Sequence, residues 1–312
     1  MAWATSASLS LAKLRAMQTV SRRRSFTLVT VAYLVAIAVA GVWLYRGPST
    51  GRLWLDTFVA DVLATLVVFG FSRGYRNSSF YDAYWSVIPP LMLFYWLGRA
   101  PAGVDQLRCW LITIVVLAWA IRLTGNWVYG FPGLHHEDWR YPMLRERAGR
   151  FEFPVDLFAI HLIPTVQVFA GMLPVYVAVT HPGPGIGWLA WVAFVIGLSA
   201  VALEFVADLQ LHRFVAQRKP GQAMDRGLWA WSRHPNYFGE VSFWFALALF
   251  GLSAAPDQWW WLFIGALLML ALFLGASIPM MEQRSLARRP EYQSVIDRVP
   301  RFVPRPPRTA RE

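Results

Sequence analysis

The stretch IGWLAWVAFVIGLSAVALEFVADL, residues 186–209, runs for 18 residues without a charge before it reaches Glu204 and Asp208. A helix rises 1.5 Å per residue and the hydrocarbon core of a bilayer is about 30 Å thick, so about 20 mostly apolar residues cross it. Residues 186–209 therefore read as a spanning helix that carries two carboxylates at one end. Seven further stretches read as spans: 26–45, 53–72, 84–98, 109–128, 154–179, 238–255 and 259–281. The run 84–98 is short and contains Pro89 and Pro90, so it reads as a span or as a broken, re-entrant element, which protein must cover. Basic residues precede 26–45 as in a signal peptide, but that run is long enough to span and lacks a small-residue cleavage site. It reads as a retained helix.

The whole chain fits this reading. Of its 312 residues, 56% are hydrophobic and 15% charged, against about 25% charged in soluble domains. The expected fold is all-α: a polytopic integral membrane protein with eight transmembrane helices and both termini cytoplasmic. Lys and Arg concentrate in cytoplasmic loops, and this topology places 25 of the 29 on the inside, leaving Arg46, Arg52, Arg99 and Arg108 outside. The same distribution explains the net charge of +11. Cations spread over every inner loop suit anionic membrane lipids, and no nucleic-acid partner is expected. Cys109 is the single cysteine, which excludes an internal disulfide, and the six His residues show no metal-ligand spacing, so no metal site is expected. The chain reads as a basic N-terminus (1–25), one membrane domain (26–300) and a disordered basic tail (301–312).

The topology gathers the polar clusters on the cytoplasmic side. In SRHPNYFGE (232–240), Pro235 suits the opening turn of a helix, with Ser232 or Asn236 as a cap. Free amides there, beside Arg233 and His234, favour a phosphate. Glu240 lies one turn from Asn236 on the same face and suits a ring amide, a ribose hydroxyl or a nearby Arg. The competing reading is a plain anchor with snorkelling Arg and His. Glu204, Asp208 and His212 also share a face, either to receive a ligand or to form ion pairs with Arg233 or Arg218. Arg213, Arg218 and Lys219 follow them and suit phosphates or lipid headgroups.

In NSSFYDAYW (77–85), Asp82 lies between Tyr81 and Tyr84, where desolvation would raise its pKa and make it an acid. Belt aromatics account equally for the two tyrosines. The sequon Asn77-Ser78-Ser79 falls on the cytoplasmic side, where it is accidental. HHEDWRYPMLRER (135–147) reads as a solvated loop or a lid. Glu282, Arg284 and Arg288 follow the last span. His161 and Gln167 are isolated within a span, where a lone His is usually satisfied by a carbonyl.

The segments GLWAWSRHPNYFGE (227–240), LEFVADLQ (203–210), SIPMMEQR (277–284) and NSSFYDAYWSVIPP (77–90) together resemble the steroid 5-alpha-reductase-like membrane family. More narrowly, they look like its bacterial branch, catalogued as the domain of unknown function DUF1295. The resemblance runs from Asn77 to Pro304. It implies a reductase that uses NADPH on a carbon–carbon double bond conjugated to a carbonyl, with the cofactor part at about 200–300. Carried over by motif, Glu204, Asp208, Arg218, Arg233, His234, Asn236, Tyr237 and Glu240 would line the cofactor site. Glu204 stands where steroid reductases have an amide. The substrate-side carboxylate falls on Asp82, with Tyr81 and Tyr84 as further candidate acids. In WAIRLTGNW (119–127), Trp119 and Arg122 occupy the stretch where those enzymes carry a tyrosine.

The resulting expectation is hydride transfer to a lipophilic, steroid- or isoprenoid-like small molecule, in a bacterial inner membrane, with the active site facing the cytoplasm. An alternative is a methyltransferase of the isoprenylcysteine or phospholipid type using S-adenosylmethionine, since such enzymes share a similar RHPxYxG stretch. A third is a non-catalytic membrane protein or transporter.

Overall fold

The computed structural model describes residues 21–306. Every regular element among them is helical. The elements used below are α1 (Arg22–Arg46), α2 (Leu53–Tyr75), α3 (Tyr84–Leu97), α4 (Gln106–Gly130), α5 (Arg140–Ala148), α6 (Ile163–Thr180), α7 (Trp188–Gln217), α8 (Pro235–Ala254), α9 (Ile264–Leu272), α10 (Ile278–Arg288) and α11 (Tyr292–Arg298). Among the described residues, seven helical stretches are long and apolar enough to cross a membrane, including the continuous runs Arg140–Thr180 and Pro256–Arg288. The protein is a polytopic membrane protein. The doubtful run 84–98 folds as α3, an unbroken helix of 14 residues that holds Pro89 and Pro90 internally.

Two of the long runs change pitch. Val155–Leu162 and Phe273–Ser277 are wound as π-helix, a form that concentrates at functional sites. The first turns Asp156 and His161 into the interior.

Two compact units appear where the sequence suggests one domain. Unit 1 contains the residues up to Met92 and Leu123–Phe169; unit 2 contains Leu93–Arg122 and the chain from Ala170 onward. Within unit 1, Tyr33 donates to the carbonyl of Phe80 at 2.8 Å, and Thr65 meets Thr165 at 2.9 Å. Within unit 2, α7 and α8 lie so close that a Cβ on Gly239 would come within 2.5 Å of Glu204 Cγ and 3.0 Å of the Ala200 carbonyl oxygen. Only glycine allows that approach. Arg108, expected on the outer side, is fully buried in unit 2 and donates to the carbonyls of Ala178, His181 and Pro184 at 2.9–3.0 Å. It fastens the end of α6 and the loop that follows.

The first part of the tail makes backbone contacts. Arg305 donates its backbone N–H to Trp231 O at 2.9 Å, and Phe302 O accepts from Ser232 Oγ at 2.7 Å, so this part of the tail is hydrogen-bonded to the segment before α8. Residues 1–20 and 307–312, the rest of the two basic termini, lie outside the described residues.

Candidate functional site

In unit 2, three helices bring their polar residues to one buried point. Trp119 and Arg122 come from α4, Glu204 and Asp208 from α7, and Asn236, Glu240 and Trp244 from α8. The four-residue spacing puts Glu204 with Asp208, and Asn236 with Glu240, each pair on a single face. Arg122 is the common partner. Its Nη1 lies 3.0 Å from Asp208 Oδ2, and its Nη2 meets Glu204 Oε2 and lies 3.3 Å from Glu240 Oε2. Trp119 Nε1 lies 3.1 Å from both Glu240 oxygens, Trp244 donates to Oε1 at 2.9 Å, and Asn236 donates to Asp208 at 3.3 Å.

The exposed fractions of the Arg122, Glu204, Asp208 and Glu240 side chains are 7%, 1%, 12% and 6%. Such burial is costly for ions unless pairing is complete, and here it is not. Glu204 Oε1 and Arg122 Nε are buried without a hydrogen-bond partner. One is an acceptor and the other a donor. Together they have the donor and acceptor character that a carboxamide would complement. The expected pairing of Glu204 and Asp208 with Arg233 or Arg218 is corrected: Arg122 takes both.

The start of α8 also differs from its sequence reading. Pro235 occupies the first turn as expected, but His234 is the cap residue, without a side-chain cap bond. Arg233 Nε lies 2.9 Å and His234 Nε2 3.2 Å from Glu282 Oε1, while Arg233 Nη1 donates to Ile296 O at 2.9 Å. A carboxylate of the same chain thus occupies the pair read as a phosphate grip. Tyr237 stacks on His234 and on Phe273, with centroids 5.6 and 4.5 Å away.

Arg218 stands elsewhere, with Lys219, on two cavities. One, of about 460 Å³, is also lined by Arg213 and Arg226; the other, of about 450 Å³, by Arg288 and Arg289. Burial, followed by the nearby Arg218 and Arg288 cations, pushes the Arg289 guanidinium down. A phosphate would relieve that repulsion.

In unit 1, Tyr141 donates to Asp82 Oδ1 at 2.6 Å. Burial pushes the half-buried Asp82 up to about 7, and the Tyr141 hydroxyl pulls it the other way. The hydroxyls of Tyr81 and Tyr84 are occupied, by Thr165 Oγ1 at 2.7 Å and by Asp61 Oδ1 at 3.0 Å. Of the expected trio, only Asp82 has a partner on the segment read as a loop or lid.

That segment is strapped down. Asn77 donates to the carbonyls of Leu134 and His136 at 2.8 and 3.1 Å, Glu137 accepts from Ser78 N at 2.7 Å, and Arg145 donates to Ser78 Oγ at 3.0 Å. His161 is satisfied much as a lone span histidine should be, 2.8 Å from the Asp156 carbonyl and 3.1 Å from Ser72 Oγ.

Sequence reasoning missed Tyr141 and Asp61. Asp61 had a signal, a carboxyl well inside the apolar run 53–72 rather than at its end. Tyr141 had none.

The family model described as "Protein of unknown function (DUF1295)" matches residues 68–299. A relative from Schizosaccharomyces pombe (strain 972 / ATCC 24843), "Uncharacterized protein C594.04c", is 27% identical over 281 residues, covering 80% of each chain. No solved structure matches.

Proposed function

This chain belongs to the DUF1295 family, and we propose that it is a membrane-embedded, NADPH-dependent reductase of a conjugated carbon–carbon double bond in a lipophilic substrate. The observation that carries the reading is the buried acceptor and donor left open on Glu204 and Arg122. A nicotinamide carboxamide would satisfy both, and NADPH would supply the hydride. In this reading Glu204 Oε1 would accept from the amide nitrogen and Arg122 Nε would donate to the amide oxygen, while Asp208 and Glu240 hold the guanidinium and Asn236 holds Asp208. Arg218 and Lys219 take the nucleotide's phosphates. Arg233 and His234 position the start of α8 by gripping Glu282.

In unit 1, Asp82 is the acid. Protonated near neutrality, it polarises the substrate carbonyl and stabilises negative charge developing on that oxygen. Tyr141 orients it. The positive-inside pattern supports a placement with the cofactor side cytoplasmic.

A second reading has one observation in its favour. Three carboxyls around one guanidinium suit a sulfonium cation, which S-adenosylmethionine carries. Titrating the detergent-purified protein with each nucleotide separates the two readings. Saturable NADPH binding that weakens in Arg122→Ala supports the reductase; binding of S-adenosylmethionine without NADPH binding overturns it.

A further inference from the structure

We propose that the Arg122–Glu204–Asp208–Glu240 cluster selects the cationic state of its ligand, so that the protein binds NADP⁺ more tightly than NADPH. The choice of nucleotide rests on the reductase reading; the charge preference does not. One guanidinium faces three carboxyls, and all four side chains are at most 12% exposed. Trp119, Trp244 and Asn236 also donate to these carboxyls, but they are neutral. A hydrogen bond from a neutral donor disperses negative charge without cancelling it.

Arg122 can balance one carboxylate of the three and His212 also acts on Asp208, which leaves the Glu204 and Glu240 pair in excess of its one guanidinium. The balance must come from protons or from a cation, and both routes favour a cationic ligand. Where a carboxyl is ionised, a positive group meets it in a medium far less polar than water, where attraction is strong. Where a carboxyl is protonated, a positive group displaces the proton. A neutral group gains by neither route.

The two forms of the cofactor isolate this effect. Both carry the carboxamide that Glu204 Oε1 and Arg122 Nε would meet, so that contact is common to them. They differ in the ring, which is positive when oxidised and neutral when reduced. S-adenosylmethionine and S-adenosylhomocysteine differ in the same way, since only the first carries a sulfonium.

For the reductase the preference has a chemical consequence. A protein that holds the oxidised form tenfold more tightly makes the bound reduced form a stronger hydride donor, by about 30 mV for a two-electron couple. Binding energy is thereby directed to the charge that develops as hydride leaves.

The test is a set of equilibrium titrations on the full-length protein in detergent, with NADP⁺, NADPH, S-adenosylmethionine and S-adenosylhomocysteine as probes. The expected wild-type result is NADP⁺ binding about tenfold tighter than NADPH, a difference of ~1.4 kcal/mol. Glu204→Gln and Glu240→Gln keep the shape and remove a carboxylate, so the NADP⁺-to-NADPH affinity ratio should fall toward one whatever happens to the affinity of each form. Equal wild-type affinities overturn the proposal, whether or not the variants fold. A ratio that survives both substitutions overturns it too. Preference for S-adenosylmethionine over S-adenosylhomocysteine, with neither nicotinamide nucleotide bound, supports the cluster's charge selection and removes the reductase reading. Binding of none of the four overturns both.

Discussion

Replacing Asp82 by Asn keeps an acceptor for the Tyr141 hydroxyl but removes the exchangeable proton, so it separates acid chemistry from local structure. Turnover should fall about 10²- to 10⁴-fold, the usual contribution of a positioned acid, with NADPH affinity nearly intact. Unchanged turnover would remove Asp82 from the mechanism. Because burial pushes this carboxyl up to about 7, it is protonated and active below that pH, and the rate should decline as pH rises through it. Tyr141→Phe deletes a hydrogen bond that favours the ionised form. The declining limb should therefore move to higher pH, and a limb that stays in place or moves down would show that Tyr141 does not act on Asp82. Asp82 was legible because a carboxylate between aromatics at a membrane edge is costly without a role. Its partner was not, since Tyr141 lies 59 residues away in a segment with no hydrophobic period to fix its direction.

The start of α8 at Pro235 was legible from the missing N–H and fixed φ of proline, and the shared face of Glu204 and Asp208 from their spacing. Spacing gives a face but not the neighbour that meets it, which is why Arg122, on α4, replaced the expected Arg233 and Arg218. The π-wound stretches were illegible for a related reason: their sequences, VDLFAIHL and FLGAS, read much like any other stretch of a span. Gly239 is the element-level test. A methyl group there would press on Glu204 Cγ and the Ala200 carbonyl, so Gly239→Ala must part α7 from α8 or displace Glu204. Overpacking of this kind costs about 1–3 kcal/mol. The variant should melt earlier in detergent and bind nucleotide more weakly, whereas Gly125→Ala, whose Cβ meets nothing within 4 Å, should do neither. Wild-type melting and affinity in Gly239→Ala would mean that the two helices do not depend on this approach.

Topology belongs to the molecule as a whole, and it turns on α3. At 1.5 Å per residue its 14 residues span about 21 Å, short of a 30 Å hydrocarbon core. Length alone would make it re-entrant and leave seven crossings, with the termini on opposite sides. The charges point the other way. Seven crossings would separate the basic stretches 122–150, 213–233 and 284–311 from 13–24 and 73–76, whereas eight collect them on one side. A short helix can still cross where the bilayer thins locally, at fractions of a kcal/mol per Å of mismatch. Reversing the placement of three basic stretches would cost more. Membrane-impermeant maleimide labelling in intact cells decides between the two, with single cysteines placed at Arg76, Gly185 and Ser294 in a Cys109→Ala background. Eight crossings predict that Gly185→Cys reacts from outside, and that Arg76→Cys and Ser294→Cys react only after the membrane is opened. With seven crossings, Arg76→Cys and Gly185→Cys would share one side and Ser294→Cys would lie on the other. That result would make α3 re-entrant.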